Sequence, residues 1–495
     1  LNASGVTADG ELTARSGSLE AGLSKVGLWV LAGAFFFMPL NGVRPVSGLS
    51  YGDVLLLVAL GIAAVLVLVR RQFPAIPWWI WSGAALLLLS AVVASVFPPV
   101  SVAELEVSFP KTLNESPLVE VAKLLVGIAL LPVVTGTIIR GWDGIGTLVS
   151  AWIAGVAISC AIVVSDAYIG TDIQLALAYD IESVIGFFVI DPARSIGLTV
   201  HPNALSLTAV MAAPMVLSRM TGLRRILLYY PVLLLFFVAI LLSGARAGLL
   251  GILIGSILTL ALCATVRRAL FSRNFRVWLV LVAGFALAIA VVFGLSIKPS
   301  SGAAEYFATP SASVSTKLLA SGPADPSGIG VMVADAIDDG ASTPPTLGRF
   351  GSGDPSADRS DAARRQYLED SVRYVIERPL TGYGFRWIEA SHNIYLQLLL
   401  SGGILALIGY LLFAFGYLGT AYRKWSEPAQ EADDTARALT VSFAMLLITG
   451  VVGNGIVDRY LYLPAALILA ISMATARVGG GERDGTPGNG VADSG

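Results

Sequence analysis

Residues 226–266 read ILLYYPVLLLFFVAILLSGARAGLLGILIGSILTLALCATV. Two apolar runs, each about the 17–22 residues needed to cross roughly 30 Å of hydrocarbon, are separated by a tight Ser243-Gly244-Ala245-Arg246 reversal. A soluble helical hairpin would show a polar stripe along each run, whereas the single charge here sits at the turn. The pattern predicts an all-α polytopic membrane protein.

Working outward, comparable runs cover 25–41, 53–69, 76–96, 119–138, 145–165 and 197–218 on one side, and 277–297, 392–421, 437–456 and 460–476 on the other. With 226–242 and 246–266 they give about twelve spans. The chain has 495 residues, 55% of them apolar and 13% charged, a balance unsuited to a water-soluble globule of this size. A net charge of −2 offers no nucleic-acid surface. Cys160 and Cys263 lie in separate apolar runs, so neither a disulfide framework nor a cysteine metal site is indicated. The first run, Lys25 to Leu40, follows a polar stretch and ends without a small-x-small cleavage pattern, so it reads as a retained span.

Lys and Arg in short loops favour the cytoplasm. Arg70 and Arg71, Arg140, Arg219, Arg224 and Arg225, Arg267, Arg268, Arg273 and Arg276, and then Arg423, Lys424 and Arg437 fall in alternate loops, which places these and both termini inside. The opposite loops hold few basic residues, chiefly Arg44, Lys111, Arg194, Arg246 and Arg459. The expected organisation is a cytoplasmic tail (1–24), nine spans (25–297), a large periplasmic loop (298–391), three further spans (392–476) and a cytoplasmic tail (477–495). Within the loop, 299–361 is rich in Ser, Gly, Pro, Ala and Asp and reads as flexible coil. Over 361–378, Leu368, Val372, Val375 and Ile376 form one apolar stripe of an amphipathic helix suited to the outer membrane boundary.

Three features on that outer side carry candidate chemistry. Arg246 runs against the charge bias and, between two apolar runs, calls for an anionic partner; the plain alternative is a snorkelling helix-end arginine. His392 is one of two histidines and is the side chain best matched to proton abstraction near neutral pH, although Ser391 and Asn393 beside it are competent helix caps. Arg364, Arg365, Arg373, Arg378 and Arg386 precede it. Guanidinium groups bind phosphate bidentately, but pairing with Glu369, Asp370 and Glu377 along a solvated helix face explains most of them. His201-Pro202-Asn203, after Arg194, reads first as a helix start with Pro202 in the first turn. No phosphate loop, Ser-His-Asp order or histidine-carboxylate cluster appears, and the first outer loop, Asn41 to Asp53, holds one acidic residue. No metal or other cofactor is expected.

The segment RRQYLEDSVRYVIERPLTGYGFRWIEASHNIYLQLLLSGGILALIGYL, residues 364–411, resembles the signature of the bacterial O-antigen ligase and O-antigen polymerase superfamily. SGARAG at 243–248 and HPN at 201–203 resemble its other recurring segments. The resemblance implies a helical bundle in the inner membrane, with a large periplasmic loop before the last spans. It also implies metal-independent, inverting transfer of a glycan from undecaprenyl diphosphate to a sugar hydroxyl at the periplasmic face. By position, His392 would be the base and Arg246 a diphosphate clamp, with Arg364, Arg373 and Arg386 as diphosphate-binding residues. His201, Asn203, Arg194 and Asn393 are further site candidates. The implied partners are the lipid-linked donor, a glycan acceptor, the bilayer, and proteins of chain-length control and export.

A ligase passes glycan to an anionic lipid A core, whereas a polymerase passes it to another lipid-linked repeat unit. Residues 299–361 carry eight acidic residues against Lys317, Arg349 and Arg359, a poor surface for an anionic core. Polymerisation into exopolysaccharide or O-antigen is therefore the preferred expectation and ligation the alternative. A transporter or lipid-linked glycan flippase is a reading of another class; it would place charges near the bilayer midplane and show repeated halves, and neither is evident in the sequence.

Overall fold

The computed structural model describes residues 8–45, 49–96, 117–139, 141–171, 173–177, 196–199, 201–271, 355–385, 391, 393–425, 430–451 and 456–481. Among these, every regular element is helical. In chain order they are α1 (Ala8–Phe37), α2 (Tyr51–Arg70), α3 (Trp78–Val96), α4 (Pro117–Leu125), α5 (Leu131–Ile138), α6 (Trp142–Ile169), α7 (Ile173–Leu177) and α8 (Pro202–Ser218). Then follow α9 (Leu223–Ser243), α10 (Arg246–Leu262), α11 (Ala264–Phe271), α12 (Pro355–Glu377), α13 (Ile394–Trp425), α14 (Gln430–Thr449) and α15 (Leu463–Gly481).

Against the about twelve spans expected, seven stretches among the described residues are long and apolar enough to cross a membrane: Ser18–Leu40, Tyr51–Arg70, Trp78–Val96, Leu118–Ile138, Trp142–Ile169, Leu223–Ser243 and Ile394–Lys424. Pro202–Ser218, Arg246–Leu262 and Arg459–Ala474 are shorter apolar helices. The expected span at 277–297 and the loop residues 298–354 lie outside the described residues.

With lipid on the outside, helices associate by close packing rather than by expelling water, and small residues permit the closest approach. The α3–α13 contact shows this. A β-carbon added at Gly83 would lie 3.0 Å from the Gly409 carbonyl, and one at Gly409 would lie 3.1 Å from that of Gly83. Between α4 and α5 one π turn, Val126–Leu130, displaces the ladder; the Tyr417 hydroxyl, from α13, donates to the Ile128 carbonyl there. A side chain supplies what the distorted backbone does not.

At one end of the bundle, arginines close helix termini. Arg70 donates to Glu20 (2.6 Å), to the Ser24 hydroxyl (3.1 Å) and to the Thr137 carbonyl (2.6 Å). Arg219 reaches the Gly146 carbonyl and Arg437 the Leu262 carbonyl. The cations at the Thr137 and Leu262 carbonyls, in the last turns of α5 and α10, satisfy orphan acceptors and favour the helix dipole.

Two expectations need correction. The loop helix α12 begins at Pro355, within the stretch read as coil, because Pro is pre-organised for a first helical position and outweighs the coil-like composition there. The span expected as continuous over 392–421 is broken: Gly403 has φ +63° and ψ −159° inside α13. A strap formed by residues 378–385 fills that break. Tyr383 and Gly384 N–H groups donate to the Leu400 and Ser401 carbonyls (2.7 and 2.8 Å), and the Ile404 N–H donates to the Pro379 carbonyl (2.8 Å). Helix-breaking backbone at membrane depth is tolerated when protein re-satisfies its polar groups, and Phe385, fully buried, anchors the end of the strap.

Candidate functional site

The turn at 243–248 forms as its sequence dictates. Gly244 takes the left-handed conformation (φ +63°) that closes α9, its N–H bonding the Leu241 carbonyl, and Arg246 opens α10. The absence of side chains then brings α10 onto its neighbours. A β-carbon at Gly248 would strike the Ser206 side chain at 2.7 Å, and one at Gly251 would meet Val210 at 3.0 Å and Thr449 at 3.3 Å. At the end of α14 the Gly450 carbonyl accepts from the Ile394 N–H (2.8 Å). The starts of α8, α10 and α13, which carry the three segments singled out in the sequence, are thus gathered around the end of α14.

Individual candidates fare differently. His201 caps α8: its Nδ1 accepts from the Asn203 N–H (3.1 Å), so that nitrogen is committed to the backbone, as the plain helix-start reading expected. Asn393 caps α13, its Oδ1 accepting from the N–H groups of Tyr395 (2.9 Å) and Leu396 (3.1 Å). Arg373 is exposed on α12, pairs with Asp370 at 3.3 Å and lies over the Tyr374 ring at 4.7 Å. The backbone of Arg364 is in α12. The side chain of Arg364 and all of Arg194, Arg386 and His392 lie outside the described residues. The neighbours of His392 are anchored: Ser391 is buried and its carbonyl accepts from the Gln397 side-chain amide.

The predicted apolar stripe of α12 is present, but it is turned outward. Leu368, Val372 and Ile376 are exposed, while Ser371 and Tyr374 are buried. Tyr383 of the strap stacks edge-on against Tyr374, 5.6 Å between centroids, and donates to Glu377 (2.8 Å). Burial, and then this carboxylate, raise its phenol above the ordinary tyrosine range.

A second group at the same end was not singled out from sequence. Asn41 and Arg44 after α1, Ser50 and Asp53 at the start of α2, and Asp458, Arg459 and Tyr460 before α15 line a small, partly open cleft. Asp53 is held by a capping box with Ser50. The Arg459 Nε lies 2.9 Å from Asp53 Oδ1, close enough for an ion pair but without the alignment of a hydrogen bond. Tyr460 donates to Asp458 (2.8 Å). Burial raises the Asp458 carboxyl above the ordinary range, against the lowering influence of Tyr460, Arg459, Arg44 and Lys123. The Gly42 N–H donates to the Leu198 carbonyl (2.9 Å), so the cleft borders the segment leading to His201. One signal was available in the sequence: Arg44 and Arg459 are two of the few basic residues in the basic-poor set of loops.

Among the described residues no group of His, Cys, Asp and Glu could hold a metal ion. The fold defines a multi-span helical membrane protein, and several of the candidate residues lie at one end of it. Residues 231–411 match the family described as O-antigen ligase. Over that stretch, from within α9 into α13, the chain is similar to the O-antigen ligase family. No curated protein matches the chain.

Proposed function

We propose that the protein polymerises oligosaccharide repeat units carried on undecaprenyl diphosphate, at the periplasmic face of the bacterial inner membrane, by metal-independent inverting transfer. The observation that supports this reading is the gathering of the starts of α8, α10 and α13 around Gly450, with α10 and the start of α13 inside the family match. An acceptor-sugar hydroxyl attacks the anomeric carbon of the donor. Its oxygen forms the new glycosidic bond, its proton passes to His392, and the anomeric C–O bond breaks with its electron pair leaving on the diphosphate. Arg246, together with Arg364, Arg373 and Arg386, stabilises the negative charge on the departing diphosphate. A positioned base contributes typically 10²–10⁴-fold, and fixed cations facing developing charge contribute a comparable factor. His201 and Asn393 serve this site by starting α8 and α13 in the right places rather than by touching substrate. The acidic composition of 299–361 favours a neutral repeat-unit acceptor over an anionic lipid core.

The test is the extracted glycan profile of a deletion strain complemented with wild type or with His392→Ala. Single lipid-linked units without long polymer, restored by wild type and not by the variant, are expected. Long lipid-linked polymer absent from lipid A core would instead identify a ligase. Normal polymer from the His392→Ala strain would overturn the mechanism.

A further inference from the structure

The cleft formed by Asn41, Arg44, Asp53, Asp458 and Arg459 has no part in the transfer step as written, yet its polar groups are incompletely used. Two buried atoms there lack a hydrogen-bond partner, the acceptor Asn41 Oδ1 and the donor Arg459 Nε. Unsatisfied buried groups of this kind cost roughly 1–3 kcal/mol each, so a ligand that completes both gains from a site already desolvated. The chemistry of the lining selects among ligand classes. An anion such as phosphate would face the Asp53 carboxylate, whose second oxygen already accepts from the Ser50 N–H (3.0 Å) and Oγ (2.9 Å). A metal cation would face Arg44 and Arg459. A neutral hydroxyl both donates and accepts, and pairs of hydroxyls match a wall that alternates Asn41 Oδ1, the Arg459 Nε–H and the Asp458 carboxyl. The cleft is small and partly open to solvent, so it receives the hydroxyl-bearing edge of one sugar ring rather than enclosing the ring.

We propose that this cleft is a sugar-recognition subsite that holds one neutral pyranose of the glycan, a unit remote from the diphosphate, its hydroxyls donating to Asn41 Oδ1 and accepting from the Arg459 Nε–H, with Asp458 as a further hydrogen-bond partner. The assignment rests on the glycan-transfer reading above. The connection from α14 to α15 supplies the link between the two places: its Gly450 anchors the start of α13 next to His392, and its Asp458 and Arg459 line the cleft. A sugar seated in the cleft therefore sets the register of the chain that reaches the reacting centre.

The experiment is saturation-transfer NMR on the full-length protein in lipid nanodiscs, with the methyl glycosides of glucose, galactose and mannose as probes and inorganic pyrophosphate as the anionic control. At least one glycoside is expected to bind wild type, with affinity reduced about tenfold by the loss of one hydrogen bond and the partner group it leaves unpaired in both Asn41→Ala and Arg459→Lys. Arg459→Lys keeps the cation opposite Asp53 and removes only the planar donor fork, so it guards against loss of fold. Absence of any glycoside signal over empty nanodiscs, signals unchanged in both variants, or a pyrophosphate signal lost in the same variants would each overturn the proposal. His392→Ala is expected to bind the glycoside as wild type does. Failure of the subsite thus appears in binding alone, and failure of the transfer mechanism in the glycan profile alone.

Discussion

Arg70 and Arg459 are both arginines at helix ends, each ion-paired with an acid from another helix, and they sit at opposite ends of the bundle. Arg70 is finished: Glu20, Ser24 and the Thr137 carbonyl occupy its donors. Arg459 is not, since its Nε lies within ion-pair distance of Asp53 and remains without a hydrogen bond. The acids differ as well. Glu20 lies 2.6 Å from the Arg70 guanidinium, whereas Asp53 is already held by Ser50. Completed pairing at one end locks helices together; incomplete pairing at the other leaves directional groups for something that is not protein.

The largest consequence falls on the finished pair. Arg70→Ala removes the Glu20 ion pair together with the Ser24 and Thr137 hydrogen bonds, and breaking such a partly buried network costs about 3 kcal/mol, the lower figure of the usual range because Glu20 retains some exposure. Thermal unfolding in detergent should show it as the most damaging change in this comparison. Arg459→Ala should cost only about 1 kcal/mol in the same measurement, since Asp53 keeps both Ser50 hydrogen bonds. Equal destabilisation by the two variants would erase the distinction.

Asp458 sharpens it through pH. Its carboxyl is raised above the ordinary value in the folded protein, so the fold favours the protonated form. Its contribution to stability is fully present below the unfolded carboxylate pKa and is lost as pH rises through the folded one. Relative to wild type, Asp458→Asn should therefore gain stability progressively as pH rises from the acid side toward neutrality. A difference in unfolding temperature that stays constant with pH would contradict this.

The smallest effect is expected on α12. Ile376→Ser changes an exposed side chain and should alter unfolding in detergent by less than about 0.5 kcal/mol. In liposomes, its backbone should nevertheless show faster hydrogen exchange, because the outward apolar stripe loses a group able to enter the membrane boundary.

Much of the architecture was legible because it depends on local sums. Apolar run length marked the seven helices long enough to cross a membrane among the described residues, Pro202 and Asn393 marked helix starts, and the Gly244 turn was read in place. The cleft was not legible, because Asn41 and Asp53 meet Asp458 and Arg459 only when the first two helices and the last pack together. A single acidic residue in the first outer loop looked chemically idle until its partners arrived from the other end of the chain. The break at Gly403 was equally hidden: a glycine pair in an apolar run reads as close packing, and only the strap's hydrogen bonds reveal the second use.

That strap has a consequence for how the protein is made. A span whose ladder is interrupted cannot shed its water as a self-contained unit, since the Leu400 and Ser401 carbonyls find their partners in residues 383–384, upstream of the span itself. Delivery of α13 to its final depth in the lipid must then be tied to arrival of the preceding loop. Assembly of the last part of the bundle becomes one cooperative event rather than a succession of independent insertions.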